Sequence, residues 1–347
     1  MSVAFRPSSG FCSPVQVVFN GSLIRTGADY GVWTKVTVSG RCDYQFVSGF
    51  GDHNGLLGTL DREGHLYLME STSELRLVPH GPHLTHVVVA GNDRVAAVLA
   101  QEPTSRLGCV VEFSSFANFR TWYGNATPDL NLVIKRYGIP GHVSQLVANA
   151  TTFACLNHEG EVYTWGDARH RSLGRSSSGQ SSGAFAEPGL VHALGGVKVT
   201  RISAGGFMTA ALSEDGAAYL WGTGSPGKAD SIQLLKEIDP SEVALIQILP
   251  SDGETTEPLD IRDLAVGDGH IVVLTDDGAV YTAGENTNGQ LGLGSTKPFR
   301  DTWSRVKTDS RLHCIGVRAG PKCTFAKVSQ AGHRADESPN LTALSAS

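Results

Sequence analysis

The feature that most constrains the fold of this chain is an internal repeat. Four segments share one pattern: an apolar stretch with Leu, two or three polar residues, Gly, an alternating run with Tyr in the same place, and usually a second Gly. They are TLDREGHLYLME (59–70), CLNHEGEVYTWGDARHRSLG (155–174), ALSEDGAAYLWGTGSPGKAD (211–230) and VLTDDGAVYTAGENTNGQLG (273–292). Asp-Gly between alternating runs is typical of a tight hairpin turn with positive φ at Gly. Each segment is therefore predicted to form a β-hairpin.

A second short pattern precedes the hairpins and occurs six times. Five of the six copies have Gly at the same position of the pattern, and the remaining copy has Asn149 there. The copies are FVSGFGDH (46–53), VVAGNDR (88–94), LVANATT (146–152), ISAGGFM (202–208), LAVGDGH (264–270) and VRAGPKC (317–323). Successive copies are separated by 42–62 residues. Four strands per repeat at this period predict an all-β chain that forms a β-propeller, because stacking buries both faces of each sheet.

Six repeats are counted, and a seventh blade could lie in the long spacer 225–260. The last repeat, near 312–329, lacks a downstream hairpin, and NGSLIRTGAD (20–29) resembles the missing half. The two chain ends are therefore predicted to pair and close the ring, which leaves only short, protected strand edges. Residues 1–330 are predicted to form a single β-propeller domain. The polar tail 331–347 is predicted to be disordered, and the Ser-rich stretch 171–185 to be a mobile loop.

The repeat also explains a motif that resembles the phosphate-binding loop of nucleotide hydrolases. The segment YLWGTGSPGKAD (219–230) has the spacing G-x-x-x-x-G-K, with Lys228 as the lysine. However, Gly222 occupies the same repeat position as Gly284, and Lys228 falls in a variable loop. Ala229 also replaces the hydroxyl residue that would hold magnesium. The glycines are therefore attributed to the repeat, and no nucleotide cofactor is predicted.

The fullest copy of the repeat, LAVGDGHIVVLTDDGAVYTAGENTNGQLGLG (264–294), is similar to the regulator-of-chromosome-condensation repeat. The matching residues are Gly267, His270, Gly278, Tyr281, Gly284, Asn286, Gly289, Gln290, Leu291 and Gly292. Copies at 143–175 and 199–228 match in part, so the resemblance covers roughly half of the chain. Known members of this family are β-propellers, usually with seven blades. The compact layout looks more like the small cytosolic members, among them the fungal α-tubulin suppressors.

Composition narrows the classes of function. The chain has 347 residues, a net charge of −6 and no block of Lys or Arg, which disfavours binding of nucleic acid through phosphates. The six cysteines form no C-x-x-C pair, and neither an apolar run of membrane length nor a signal peptide is found. A soluble protein of the cytoplasm, the nucleus or both is therefore expected.

No candidate catalytic or metal site remains once the repeats are compared. His80, His83 and His86 lie in a loop with Pro and Gly, which does not favour convergence on a metal. His270 shares its repeat position with Met208, which indicates a structural role. Trp165 and Trp221 share another repeat position and are predicted to pack between blades. The chain is therefore predicted not to be an enzyme and to hold neither a metal nor another cofactor.

Partner binding is predicted at the loops that follow the repeated Tyr strand, because every blade presents this connection at the same face. Glycines fix the backbone there, while polar side chains are free to vary. These residues are Asp167, Arg169, His170 and Arg171 in one repeat and Glu285, Asn286 and Asn288 in another. Aromatic residues outside the repeat positions are expected to be exposed on loops as interface anchors, and these are Trp122, Tyr123 and Trp303.

Two functions are consistent with these observations. The first is a non-enzymatic protein-interaction scaffold, monomeric or in a heterodimer, that binds another protein but neither nucleic acid nor a membrane. The resemblance to the small fungal members implies a small zinc protein as partner, in diphthamide synthesis and Elongator-dependent tRNA modification. The alternative is guanine-nucleotide exchange on a Ran-like small GTPase, which is the activity of the founding member of the family.

Overall fold

The structure is a computed structural model. It describes residues 37–38, 46–52, 55–71, 74–100, 105–127, 129–175, 185–224, 231–236, 238–239, 242–250, 257–295, 297–308, 312–330 and 340–343. The chain divides into two compact units, Met1–Thr151 and Thr152–Ser347. A single domain over residues 1–330 stays a prediction.

The first unit consists mainly of antiparallel strands. Its strands are β1 (Thr37–Val38), β2 (Phe46–Asp52), β3 (Gly55–Asp61), β4 (Leu66–Ser71), β5 (Glu74–Leu77), β6 (Leu84–Val89), β7 (Val95–Leu99), β8 (Leu107–Phe113), β9 (Val133–Pro140) and β10 (Val143–Ala148). The first sheet has the order β1-β5-β4-β3-β2, with β1 parallel to β5, and the second has the order β6-β7-β8-β9. Helix α1 (Phe116–Gly124) and a 3₁₀ helix (Leu130–Leu132) connect β8 to β9.

The second unit continues the same pattern. Its strands are β11 (Thr152–Asn157), β12 (Val162–Gly166), β13 (Gly189–Leu190), β14 (Val199–Gly205), β15 (Phe207–Ser213), β16 (Ala218–Thr223), β17 (Ala244–Ile246), β18 (Ile261–Val266), β19 (His270–Thr275), β20 (Val280–Glu285), β21 (Phe299–Arg305), β22 (Leu312–Gly320), β23 (Cys323–Gln330) and β24 (Asn340–Ala343). In the third sheet, β11 pairs with β12 and β12 with β13. The fourth to sixth sheets are β14-β15-β16-β17, β18-β19-β20-β21 and β22-β23-β24. Short helices occur at Ala168–His170, His192–Leu194 and α2 (Gln233–Lys236).

The sheets confirm both the all-β class and the number of repeats counted in the sequence. The described strands form six sheets, one for each copy of the repeat. The described residues of the spacer 225–260 contain α2 and β17, and β17 pairs with β16 as the fourth strand of the fourth sheet. No further sheet is therefore found among the described residues of that spacer.

Hairpin turns lie where the repeated Asp-Gly or Glu-Gly pattern predicts them. In the turn from β19 to β20, Gly278 has φ of 82° and its N–H donates to the Thr275 carbonyl at 2.9 Å. A residue with a Cβ is strained at this φ, which explains why glycine ends the pattern. Gly222 belongs to the segment 219–230, which resembles a phosphate-binding loop. It also has a positive φ, 108°, and pairs with Met208 within the fourth sheet. Its place is therefore explained by the sheet, while Lys228 lies outside the described residues.

Antiparallel order gives each sheet two different ends. At one end, the first strand turns into the second, and the third strand connects to the fourth. We call this the loop end, and it carries the segments 167–171 and 285–288. At the opposite end, which we call the turn end, the second strand turns into the third.

The predictions for the chain ends have different outcomes. The segment 20–29 lies outside the described residues, so its pairing with the last sheet stays a prediction. Residues 340–343 were predicted to lie in a disordered tail, but they form β24, antiparallel to β23. The run Asn-Leu-Thr-Ala alternates polar and apolar residues, which suits an added strand. Disorder of the tail 331–347 as a whole stays a prediction.

Candidate partner-binding surface

The loop after β12 begins with an ion pair. Asp167 caps the short helix Ala168–His170 by accepting a hydrogen bond from the Arg169 backbone N–H at 2.9 Å. Its carboxylate also accepts from Arg169 Nε at 2.8 and 2.9 Å. The hydrogen bond from the Arg169 guanidinium lowers the pKa of Asp167, so the pair is ionised at neutral pH. The Arg169 side chain is nevertheless 81% exposed.

The same loop packs on the fourth sheet. The His170 ring lies 4.4 Å from the ring of Phe207, which follows the turn from β14 to β15. Ser172 Oγ donates to the Phe207 carbonyl at 3.0 Å, and Trp221 Nε1 donates to the Ser172 carbonyl at 3.1 Å. Trp165 and Trp221 are fully buried, as predicted for residues that pack between sheets. The loop is therefore held on its neighbour by ring packing and by hydrogen bonds.

The loop after β20 has the same backbone design. Thr164 donates its hydroxyl to the Leu173 carbonyl at 2.7 Å, and Thr282 donates to the Leu291 carbonyl at 3.0 Å. Both leucines are buried. These bonds align the segment 166–174 with the segment 284–292, so the two loops can be compared residue by residue.

Two predicted contact residues of the second loop are buried. The Asn286 side-chain amide donates to two backbone carbonyls of its own loop at 2.9 Å and accepts from Leu291 N at 3.1 Å. Glu285 is also buried. The structure therefore assigns Asn286 to closing its own loop and leaves both side chains buried, while a contact of either residue with a partner stays a prediction. Asn288 is exposed, as predicted.

The aromatic residues Trp122 and Tyr123 were predicted to be exposed on a loop, and this is wrong. Both lie on α1 and are 1% exposed. Together with Phe119 they form one face of the helix, which packs on the core of the first unit. Tyr123 Oη also accepts a hydrogen bond from Leu66 N at 3.3 Å. The spacing of these aromatics and the N-cap at Ser115 are the sequence signals that could have predicted the helix.

The third predicted anchor, Trp303, lies on strand β21 instead of on a loop. Its side chain is partly exposed and packs against the core shared by the fourth and fifth sheets. Asp167 and His170 are partly exposed as well, while Arg169 and Arg171 are exposed. A contact of any of these residues with a partner stays a prediction.

Neighbouring loop ends of the second unit touch one another. A Cβ atom on Gly206 would lie 2.8 Å from Asp268 Oδ1, and Asp268 N donates to the Pro321 carbonyl at 3.0 Å. The turns of the fourth, fifth and sixth sheets therefore form one surface with the loop after β12. Phe207 and Asp268 were not predicted as part of this surface. The repeated Gly column was the available signal, since it places both residues at the loop end.

An ion cluster around one buried carboxylate holds the sheets that carry these loops. Asp263 on β18 binds Arg201 on β14 and, at 3.2 Å, Arg318 on β22. The Asp263 carboxylate also accepts from Val317 N and Leu264 N, both at 2.9 Å. Burial lowers the pKa of Arg201, and the charge of Asp263 opposes this effect. One carboxylate thus joins three consecutive sheets.

His270 has the structural environment that was predicted for it. It is fully buried, and its Nε2 lies 3.1 Å from Thr324 Oγ1 in the next sheet. Burial lowers the pKa of His270 to about 4, so the imidazole is neutral at physiological pH. Met208 occupies the equivalent position in the fourth sheet, because Met208 pairs with Gly222 as His270 pairs with Gly284.

The described histidines bear on metal binding, and the described helices on insertion into a membrane. In this part of the chain, no group of three or more His, Cys, Asp or Glu side chains is placed to hold a metal ion. His83 Nδ1 lies 2.5 Å from the Glu63 carbonyl, and His86 Nε2 lies 3.1 Å from the Ser144 carbonyl. None of the described helices has both the length and the apolar character needed to cross a membrane.

Comparison with protein families supports the resemblance seen in the sequence. Models of the regulator of chromosome condensation (RCC1) repeat match residues 159–212, 261–290 and 277–326. The regulator of chromosome condensation of Xenopus laevis is 31% identical over 206 residues, which are 55% of this chain and 45% of the relative. The human protein is 32% identical over 154 residues, 44% of this chain and 34% of the relative. The chain thus spans less than half the length of these relatives.

Solved structures support the fold. Prp20p from Saccharomyces cerevisiae, whose structure was described with its binding to Gsp1p and histones, has a TM-score of 0.55 at 16% identity. The similarity covers 79% of this chain and 67% of Prp20p. Human WBSCR16 has a TM-score of 0.53 at 16% identity, over 80% of this chain and 70% of that structure. The repeats, the six sheets and these similarities together show that the chain is similar to the β-propeller proteins built from regulator of chromosome condensation repeats, over the residues that the repeat models match.

Proposed function

We propose that this chain is a non-enzymatic interaction scaffold that binds another protein through the loop end of its second unit. The observation that carries this proposal is the loop after β12. There, two arginines are exposed beside the partly exposed His170–Phe207 ring pair. Arginine and aromatic side chains supply much of the binding energy of protein interfaces.

The rigidity of the loops supports the same proposal. Asp167 fixes the start of the first loop, and Trp221 and Ser172 fix its end. In the second loop, the buried amide of Asn286 holds the backbone, while the neighbouring Asn288 stays exposed. A loop whose backbone is held in place by its scaffold loses little backbone conformational entropy on binding, which favours a role in recognition.

The resemblance to the small fungal family members extends the proposal to a partner. On that basis, the partner is a small zinc protein, and the complex acts in the cytoplasm or nucleus in diphthamide synthesis and Elongator-dependent tRNA modification. Identification by mass spectrometry of the proteins that copurify with the chain tests this. Recovery of a small GTPase in place of a small zinc protein would contradict it.

Guanine-nucleotide exchange is the second candidate. It is favoured by the identity of 31–32% to the regulators of chromosome condensation of Xenopus laevis and human. An exchange factor would speed release of labelled GDP from a Ran-like GTPase in proportion to its concentration. An unchanged release rate at micromolar concentrations of the chain would exclude this candidate for the GTPase tested.

Charge reversal at both exposed arginines tests the proposed surface. The double variant Arg169→Glu/Arg171→Glu is expected to fold normally and to lose its partners in a pull-down from cell extract. A matched control is Lys198→Glu/Lys307→Glu, which reverses two exposed cations at the turn end and also breaks one ion pair, between Lys198 and Glu214. If the folded loop-end variant recovers every partner at normal yield, the loop end is not the binding surface.

A further inference from the structure

Arg171 occupies a backbone position at which the repeat itself uses glycine. Its φ is 55° and its ψ is 15°, in the left-handed region. In the aligned loop after β20, the equivalent residue is Gly289, with φ of 72°. Residues with a Cβ are disfavoured in this region, and such strain is retained where structure or function requires the side chain.

Folding does not explain the arginine. Arg171 is exposed, and among the described residues its side chain makes no hydrogen bond or ion pair. A Cβ atom built on the equivalent Gly289 would have no neighbour within 4 Å, so the Cβ of a residue at this repeat position has nothing to pack on. The departure from glycine therefore strains the backbone and brings no hydrogen bond or ion pair with the described residues.

The two other arginines of the loop have clear structural roles, and the contrast isolates Arg171. Arg169 is paired with Asp167. Arg175 donates to the carbonyls of Thr164 at 3.0 Å and Glu187 at 3.1 Å. It also lies over the Phe185 ring at 5.3 Å. Only Arg171, of the three, presents a guanidinium that the described chain does not use.

We infer that Arg171 is a specificity-determining contact residue that binds a carboxylate of an acidic protein segment. This inference rests on the proposed function and names the chemistry of the partner. The guanidinium of arginine binds a carboxylate through two parallel hydrogen bonds. The adjacent His170–Phe207 pair offers apolar surface for an aromatic residue next to that carboxylate.

A protein carboxylate fits the surroundings better than a nucleic acid. The chain has a net charge of −6, and the carboxylates of Asp167 and Asp268 lie on the same loop-end surface. A polyphosphate places many negative charges at once on such a surface, and its affinity depends on several cations acting together. One acidic side chain at Arg171 avoids most of that repulsion.

The first test separates a binding role from a structural one. Arg171→Gly restores the residue of the repeat, so urea unfolding should give a midpoint equal to or above that of the wild type. The matched control is Gly289→Arg, which introduces the same backbone strain in the aligned loop and should lower the midpoint. A lower midpoint for Arg171→Gly would show that the arginine is structural and would overturn the inference.

The second test measures binding of a defined probe to the full chain. The probe is a fluorescein-labelled peptide with one Glu next to one Tyr in an otherwise uncharged sequence, and the control peptide has Gln in place of that Glu. Fluorescence anisotropy should show that only the Glu peptide binds the wild type. Arg171→Gly should weaken this binding by at least about tenfold, the effect expected from loss of a hydrogen-bonded charge pair.

Three results would overturn the inference. In the first, the wild type does not bind the Glu peptide. In the second, Arg171→Gly binds the Glu peptide as tightly as the wild type does. In the third, the wild type binds a twenty-residue oligothymidylate more tightly than the Glu peptide. The pull-down from cell extract distinguishes a wrong role for Arg171 from a wrong docking surface. If Arg169→Glu/Arg171→Glu loses its partners while Arg171→Gly retains them, the docking surface stands and the role of Arg171 does not.

Discussion

Replacing Asp263 by Ala removes the carboxylate that joins three sheets of the second unit. Val317 N is then left buried without its acceptor, and Arg201 loses its counter-ion. A buried unsatisfied donor destabilises by about 1–3 kcal/mol, and a broken buried ion pair by about 3–5 kcal/mol. The side chains of Arg201 and Arg318 are 26% and 35% exposed, so water screens the second effect. We therefore expect a loss of about 3 kcal/mol in unfolding free energy.

Urea unfolding followed by circular dichroism measures this loss. About 3 kcal/mol corresponds to a roughly 150-fold change in the unfolding equilibrium constant. Asp263→Asn keeps an acceptor for Val317 N and should lose less stability than Asp263→Ala. The matched control is Asp276→Ala, at an exposed turn, with an expected change below about 0.5 kcal/mol. A stability of Asp263→Ala equal to that of this control would refute the view that the carboxylate holds the sheets together.

Three further predictions concern the interior. The pKa of His270 is about 6.5 in the unfolded chain and about 4 in the folded chain, so only the unfolded chain binds a proton between these pH values. The free energy of unfolding should therefore fall by up to about 3 kcal/mol as the pH drops through this window. His270→Met, which copies the equivalent Met208, should flatten that part of the pH profile, and an unchanged slope would contradict the assignment. Asn286→Ala should lower the free energy of unfolding by about 2 kcal/mol, since it removes the hydrogen bonds that close the loop. Amide hydrogen exchange within 286–297 should then become faster, and an unchanged exchange rate would count against this prediction. Trp122→Ala should destabilise by about 3–5 kcal/mol through the cavity it leaves under α1, and a melting temperature equal to that of the wild type would contradict its burial.

The features that follow from repetition could be predicted from the sequence. A hairpin turn needs Gly at a fixed place, as at Gly278, and six copies of the pattern give six sheets. The loop-end location of Arg169 and Arg171 follows from the same strand order. Such features depend on local backbone geometry, and the same sequence pattern for that geometry occurs in several copies of the repeat.

The features that depend on a single insertion or on burial could not be predicted in this way. Trp122 and Tyr123 fall outside the repeat, so no second copy of the pattern indicates that they lie on the buried face of a helix. Asn286 is polar, but its hydrogen bonds to the loop backbone use its side chain internally. Polarity alone does not distinguish an amide that closes a loop from one that meets a partner.

The central claim is that a protein partner binds at the loop end of the second unit, and amide hydrogen exchange tests it most directly. Exchange would be measured on the full chain, free and in the complex with the protein it captures. Protection is expected in the segments 167–171, 205–207 and 286–292. Protection confined to the turn-end segments 213–217 and 275–279, with unchanged exchange in the loop-end segments, would contradict the claim.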